Sequence, residues 1–279
     1  MGRKIKFAVL LLFALVIWFP LLLLTVYSFC GTQEITDAFG GILLSDGSPV
    51  KFQLLPSYPT LQGYAELLFD SPGFFIMFWN SCIQVFSILG GQLLISVPAA
   101  WAFAHFPIPG KRALFHLYML LMILPFQVTM VSSYLVLDQL NLLNTHGAII
   151  LPGIFATFSV FIITKSFRGI PSSLLEAAAM DGAGEFRIFW NIAVPMGKPG
   201  IFAAMILNFF EYWNAIEQPM AFLKTKSIWP LALYLPNITA DKVGVSFSAS
   251  VIMMLPAILL FLYGQSYLEQ GIAASGLKE

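Results

Sequence analysis

Hydrophobic residues in this chain run in long blocks, with polar residues gathered between them. Six blocks, 7–29, 74–104, 113–137, 147–167, 201–223 and 247–268, reach the ~20 apolar residues that a helix needs to cross a bilayer. The pattern predicts an all-α integral membrane protein with about six transmembrane helices in a single domain over 1–279. The block 74–104 is long enough to tilt, or to begin with an interfacial piece before Asn80. Pro256 in the last block predicts a kink or a locally rewired helix rather than a break, because neighbouring helices can satisfy the freed carbonyl. The first block follows Arg3, Lys4 and Lys6. Its apolar run exceeds the ~7–15 residues of a signal-peptide core and no small-x-small cleavage site follows, so it reads as a retained helix.

Composition strengthens this picture. The chain is 58% hydrophobic and 10% charged, with a mean hydropathy of +0.83, whereas a soluble domain carries about 25% charged residues. Most of its surface therefore faces lipid. A net charge of +0 gives no reason to expect nucleic acid as a partner. Cys30 and Cys82 are too few for a disulfide framework or a zinc site and read as packing residues. His105, His116 and His146 sit near block ends, and no two aspartates share a block, so no intramembrane catalytic set emerges. The two Gly-Lys pairs, at Gly110-Lys111 and Gly197-Lys198, do not lie in a G-x-x-x-x-G-K-[ST] phosphate loop. Neither catalytic residues nor metal ligands are expected.

Lysine and arginine set the orientation. With a cytosolic N-terminus, the inner segments hold Arg3, Lys4, Lys6, Lys111, Arg112, Lys165, Arg168, Arg187, Lys198 and Lys278, and the outer ones Lys51, Lys224, Lys226 and Lys242. Both termini and the loop 171–200 are thus expected in the cytosol. The segment 31–71, rich in Gly, Pro and Ser, is expected outside as a loop with little structure of its own and a candidate contact surface.

The loop 171–200 concentrates Glu176, Asp181, Glu185, Arg187 and Lys198 between two hydrophobic blocks. Ser173-Leu-Leu-Glu176 has capping-box spacing, with Pro171 marking a helix start and Asp181-Gly182 a stop. A second short helix is expected over 185–193, with Phe186, Phe189, Trp190 and Ile192 as an apolar stripe, ended by Pro195 and Pro199. From its residues alone, the loop is either a solvated connector or a handle for a cytosolic partner.

Its spacing resembles the EAA loop of binding-protein-dependent ABC importer permeases: Glu-Ala-Ala, three residues, Gly, nine residues, Ile, one residue, Leu-Pro. Glu176-Ala177-Ala178, Gly182, Ile192 and Pro195 fall on that spacing, and Val194 stands where Leu is usual. Asn80-Ser81, Ala99–Ala104, Leu124-Pro125, Glu176–Ala183, Tyr212-Trp213-Asn214 and Gln270-Gly271 are similar to the maltose-type carbohydrate permeases in particular. The resemblance implies a bacterial inner-membrane subunit without ATPase chemistry of its own. It further implies a second homologous permease subunit, an extracytoplasmic solute-binding protein and two copies of a cytosolic ATPase, which bind the ATP and Mg. Glu176 would pair with a basic residue in an ATPase groove, and Ala177, Ala178, Asp181, Gly182, Ala183, Ile192 and Pro195 would shape the docking element.

Polar residues at membrane depth are functional candidates. Glu211 is the eleventh residue of the fifth block, ~16 Å along a helix rising 1.5 Å per residue, and so near mid-membrane. With Tyr212, Trp213, Asn214 and Gln127 it suits a saccharide path, since sugars need hydrogen-bonding groups and aromatic faces; it could equally be a bundle-stabilising bond. Gln84, Gln92, Gln127 and Asn208 also suit interhelical hydrogen bonds. The expected cargo is an oligosaccharide, with a polyol phosphate such as glycerol phosphate as the alternative. A carboxylate-driven secondary transporter would account for Glu211 but leave the 171–200 loop without a purpose.

Overall fold

The computed structural model describes residues 2–43, 54–235 and 242–276, which among themselves are helical or irregular, with no strand. In chain order the helices are α1 (Gly2–Tyr27), α2 (Thr32–Leu43), α3 (Gln62–Phe69), α4 (Pro72–His105), α5 (Lys111–Ile123), α6 (Phe126–Gln139) and α7 (Gly147–Ile154). They continue as α8 (Thr157–Arg168), α9 (Ser172–Met180), α10 (Glu185–Ile188), α11 (Val194–Trp213), α12 (Glu217–Phe222) and α13 (Val243–Gly276). Five segments are long and apolar enough to cross a membrane: Lys4–Tyr27, Pro72–His105, Gly147–Arg168, Glu185–Trp213 and Val243–Gly271. The pair α5 and α6 makes a sixth if taken as one broken span. The protein is a multi-pass membrane protein.

Packing divides the chain into two units, Met1–Ile76 with Leu233–Pro256, and Met77–Ala232 with Ala257–Glu279. In the first, α1 from Lys4 to Leu22 is exposed all round, as suits a helix bathed in lipid. Its end is anchored: Tyr27 packs edge-on against Phe39 with centroids 4.9 Å apart and lies 5.5 Å from Phe247. The Ser28 hydroxyl meets the Tyr64 hydroxyl at 2.7 Å. Contrary to expectation, 31–71 is not structureless, for it contains α2 and α3. Ile35, Ala38 and Leu67 are buried there, and the helical spacing of Ile35, Ala38 and Phe39 was hidden among the Gly and Pro. Residues 44–53 lie outside the described set. Cys30 is a packing residue whose thiol donates to the Val26 carbonyl at 3.6 Å. Burial, with Glu34 beside it, pushes its pKa up to about 11.

The second unit holds the main core. Trp101 of α4, Phe115 of α5, Ile163 and Phe167 of α8, and Ala204 of α11 meet there. Helices α8 and α11 approach closely at glycines: a Cβ at Gly197 would overlap the Phe167 ring, and one at Gly200 would overlap Ser166. Small residues at such a contact let backbones approach, the usual device between membrane helices. A buried polar chain pins the same helices. Gln92 Nε2 donates to the Gly153 carbonyl (2.8 Å), Ser159 Oγ to Gln92 Oε1 (3.0 Å), and Asn208 Nδ2 to Ser159 Oγ (2.8 Å). Ser159→Ala removes the partner of both amides at once. We expect it to cost about 1–2 kcal/mol of stability, two interhelical bonds at roughly 0.6 kcal/mol or more each, read as a lower unfolding temperature in detergent.

The expected third span, 113–137, is in fact broken. Leu124 is extended (φ −65°, ψ 122°), and α5 and α6 are bent by 102°. A proline pushes its predecessor out of the helical region, and Leu124 stands directly before Pro125. Pro20, Pro98, Pro199 and Pro256 instead lie inside continuous helices. The expected fifth span, 201–223, stops at Trp213 and starts again as α12, so Glu211 sits in the last turn of α11 rather than mid-helix.

Candidate functional site

Two features of the second unit carry functional geometry. The first is the elbow formed by α9 and α10. Helix α9 starts at Ser172 with Pro171 extended before it (φ −60°, ψ 130°) and no side-chain cap bond. The expected capping box is not formed, because Pro171 starts the helix early and places Ser173 inside it. The stop is as expected. Gly182 has φ +80°, its N–H donates to the Ala179 carbonyl and that of Ala183 to the Ala178 carbonyl, both at 3.0 Å. This is the Schellman arrangement, in which glycine takes the left-handed position. The interval from Ala178 to Gly182 is thus the interval between a helix's last free carbonyls and its terminating glycine.

The elbow has an inner and an outer face. Leu175, Ile188 and Phe189 are buried in the core of Trp101 and Phe167, with Ala178, Ala183 and Ile192 packed partly against it. Glu176, Ala177, Asp181 and Pro195 are exposed. The expected aromatic stripe is split: Phe189 points in, while Phe186 and Trp190 are 77% and 52% exposed. Glu185 Oε2 lies 3.5 Å from His105 Nε2 at the end of α4, tying the elbow to that helix. Pro195 and Pro199 do not end the helix as expected. The chain stays helical from Glu185 to Trp213 through a π turn at Phe189–Ala193. A proline ring clashes with the carbonyl four residues back, and the wider turn just before Pro195 makes room for it.

The second feature is a cleft of about 560 Å3, lined by residues of α5, α6, α7, α8 and α11, opening beside a further hollow of about 820 Å3. Glu211 and Tyr212 line both, Asn208 lines the first, and Asn214 and Glu217 the second. The Tyr212 hydroxyl donates to the Gly153 carbonyl at 3.4 Å, the same oxygen that accepts from Gln92. Gln127 donates to Glu217, so it fixes one carboxylate at the rim. Trp213 is placed elsewhere. It is buried, stacked on Phe209 at 5.2 Å and edge-on to Phe78.

A third set of residues includes Gln84, expected to make an interhelical hydrogen bond, but its partners in 223–231 were not foreseen. Asn80 Nδ2 donates to the Ser227 and Trp229 carbonyls (2.8 and 3.0 Å), Gln84 Nε2 to that of Ile228 (3.1 Å), and Leu231 N–H to Ser81 Oγ (2.8 Å). Gln84 also meets His146 Nδ1 at 3.2 Å, and burial pulls the pKa of that imidazole below its ordinary value. Asn144, at φ +58°, accepts from the amides of Lys224 and Thr225. These bonds clamp 223–231 over the end of the unit. Their signal was Asn80-Ser81, polar and adjacent at the head of a hydrophobic block.

A multi-spanning helical bundle with a rigid polar elbow at one end and a carboxylate-lined cleft within it is a transport-type membrane protein. Residues 92–274 match the binding-protein-dependent transport system inner membrane components, and the chain belongs to that family. It is 28% identical over 263 residues to the arabinooligosaccharide transport permease AraQ of Halalkalibacterium halodurans, covering 93% of this chain and 91% of that one. It is 30% identical over 264 residues to the diacetylchitobiose uptake permease NgcG of Streptomyces coelicolor, covering 92% and 83%. Its fold is similar to a chain of a bacterial ABC transporter involved in import of the acidic polysaccharide alginate, with a TM-score of 0.80, 22% identity, and 95% and 96% of the two chains covered.

Proposed function

We propose that this chain is a permease subunit of an ATP-driven importer of neutral oligosaccharides, lacking ATPase chemistry of its own. The elbow carries the reading: its inner face is part of the same core as α4, α8 and α11, so a push on its outer face must move the helices that line the cleft. Glu176 offers the charge that fixes the elbow in an ATPase groove, and Ala177, Ala178, Asp181, Gly182, Ala183, Ile192 and Pro195 give the elbow its shape. ATP and Mg belong to two copies of the partner ATPase. A second, homologous permease subunit completes the path, and an extracytoplasmic binding protein delivers the sugar. The inside-positive charge pattern puts both termini and the elbow in the cytosol.

Glu211, Tyr212 and Asn214, with Gln127 behind Glu217, form the substrate path in this reading. Both curated relatives named above are oligosaccharide permeases, which supports the cargo class. Two carboxylates on one cleft, Glu211 and Glu217, disfavour an anion through like-charge repulsion. In proteoliposomes holding the full complex, neutral oligosaccharides should therefore compete for ATP-driven uptake, while glycerol phosphate and alginate oligomers should not. Competition by glycerol phosphate, with neutral sugars inert, would replace this cargo by the polyol phosphate.

A further inference from the structure

A third pocket, which shares no lining residue with the cleft or the hollow, has a distinct chemistry. Lys111, Arg112, Phe115 and His116 of α5 and Arg168 of α8 enclose about 570 Å3. Its lining holds two arginines, a lysine and an imidazole but no carboxylate. Among the described residues, the one contact between a basic and an acidic side chain is that of His105 with Glu185, so no described carboxylate pairs with the pocket's basic groups. The Arg168 guanidinium lies flat on Phe115, 4.6 Å from its centroid, and Lys111 Nζ donates to the Phe106 carbonyl at 2.7 Å. Both cations are therefore held in place rather than free to disperse into solvent. The start of α5 adds the partial positive charge of a helix N-terminus. Further along the same side of α5, four and seven residues after His116, Leu120 and Ile123 are exposed, and they carry an apolar surface away from the charged mouth.

We infer that this pocket binds the phosphate headgroup of an anionic phospholipid, with the acyl chains lying along Leu120 and Ile123. Charge complementarity selects the headgroup, and the adjoining apolar strip selects a lipid over a soluble anion. Basic pockets between membrane helices hold lipid headgroups by this combination. The inference needs only that the chain is embedded in a membrane, and it stands or falls separately from the cargo and the ATPase contact.

The test is native mass spectrometry of the full chain, loaded with phosphatidylglycerol or phosphatidylcholine in detergent. The wild-type chain should retain phosphatidylglycerol selectively. The R112Q/R168Q double variant should lose it about 25-fold, at roughly fivefold for each basic residue removed. The control, K165Q/R187Q, removes the same charge outside the pocket and should retain the lipid. If the double variant does not fold, R112Q alone changes an exposed side chain and should show the fivefold loss. Equal loss in the control, equal retention of phosphatidylcholine, displacement of the lipid by inorganic phosphate, or its displacement by added ATPase would each overturn the assignment.

Discussion

Replacing Glu176 with lysine is expected to strip the ATPase from the complex and abolish ATP-driven uptake, while leaving this chain folded. Glu176 is exposed, and among the described residues it has no ionic partner within the chain. Its neighbour Leu175 is buried in the core and holds α9 in place. The side chain therefore does little for the fold and is available to a partner. Breaking a desolvated charge pair across an interface costs about 2–5 kcal/mol, which is roughly 30-fold to several-thousand-fold in affinity, and reversing the charge adds repulsion. Co-purification of the ATPase with tagged Glu176→Lys chain, beside uptake in proteoliposomes, measures both effects. Normal association and normal transport in that variant would remove the elbow from the coupling path.

Gly200→Ala is expected to be the most damaging single-methyl change in the second unit. The added Cβ would fall on Cβ and Oγ of Ser166, atoms too close to their own backbone to swing aside, so α8 and α11 must separate. Overpacking of this kind costs about 1–3 kcal/mol, and separating the helices also strains the Asn208–Ser159 bond that joins them. The expected outcome is a sharp fall in folded yield by size-exclusion chromatography in detergent. Ser166→Gly in the same chain should restore much of the yield, because it clears the atoms in the way. If Gly200→Ala alone expresses and melts like the parent, the close approach of α8 and α11 is not needed.

Much of this was legible in the residues, for identifiable reasons. Span positions follow from hydropathy, which depends on composition over a window and tolerates local error. The end of α9 could be read because Gly182 meets a strict backbone requirement that few other residues satisfy. The prolines misled in both directions, since a proline's effect depends on the backbone just before it. Pro125 leaves Leu124 extended and ends α5, whereas the π turn lets the chain run straight past Pro195. Trp213 looked like a sugar platform beside Glu211. Two residues are about 200° around a helix, however, and that rotation takes its ring onto Phe209 instead of into the cleft. The clamp built from Asn80, Ser81 and Gln84 joins positions about 150 residues apart, as Leu231 and Ser81 are, and no local pattern announces such a pairing.

The π turn at Phe189–Ala193 bears on how this chain can change its length. An ordinary helix transmits every insertion or deletion downstream as a rotation of about 100° per residue. Between elbow and cleft, such a change within α11 would swing Glu211 away from the hollow it lines. A π turn already carries one residue more than the α-helical ladder requires. It is an expansion joint: the one place on the shaft between the two functional ends where a residue can be lost without turning one end against the other.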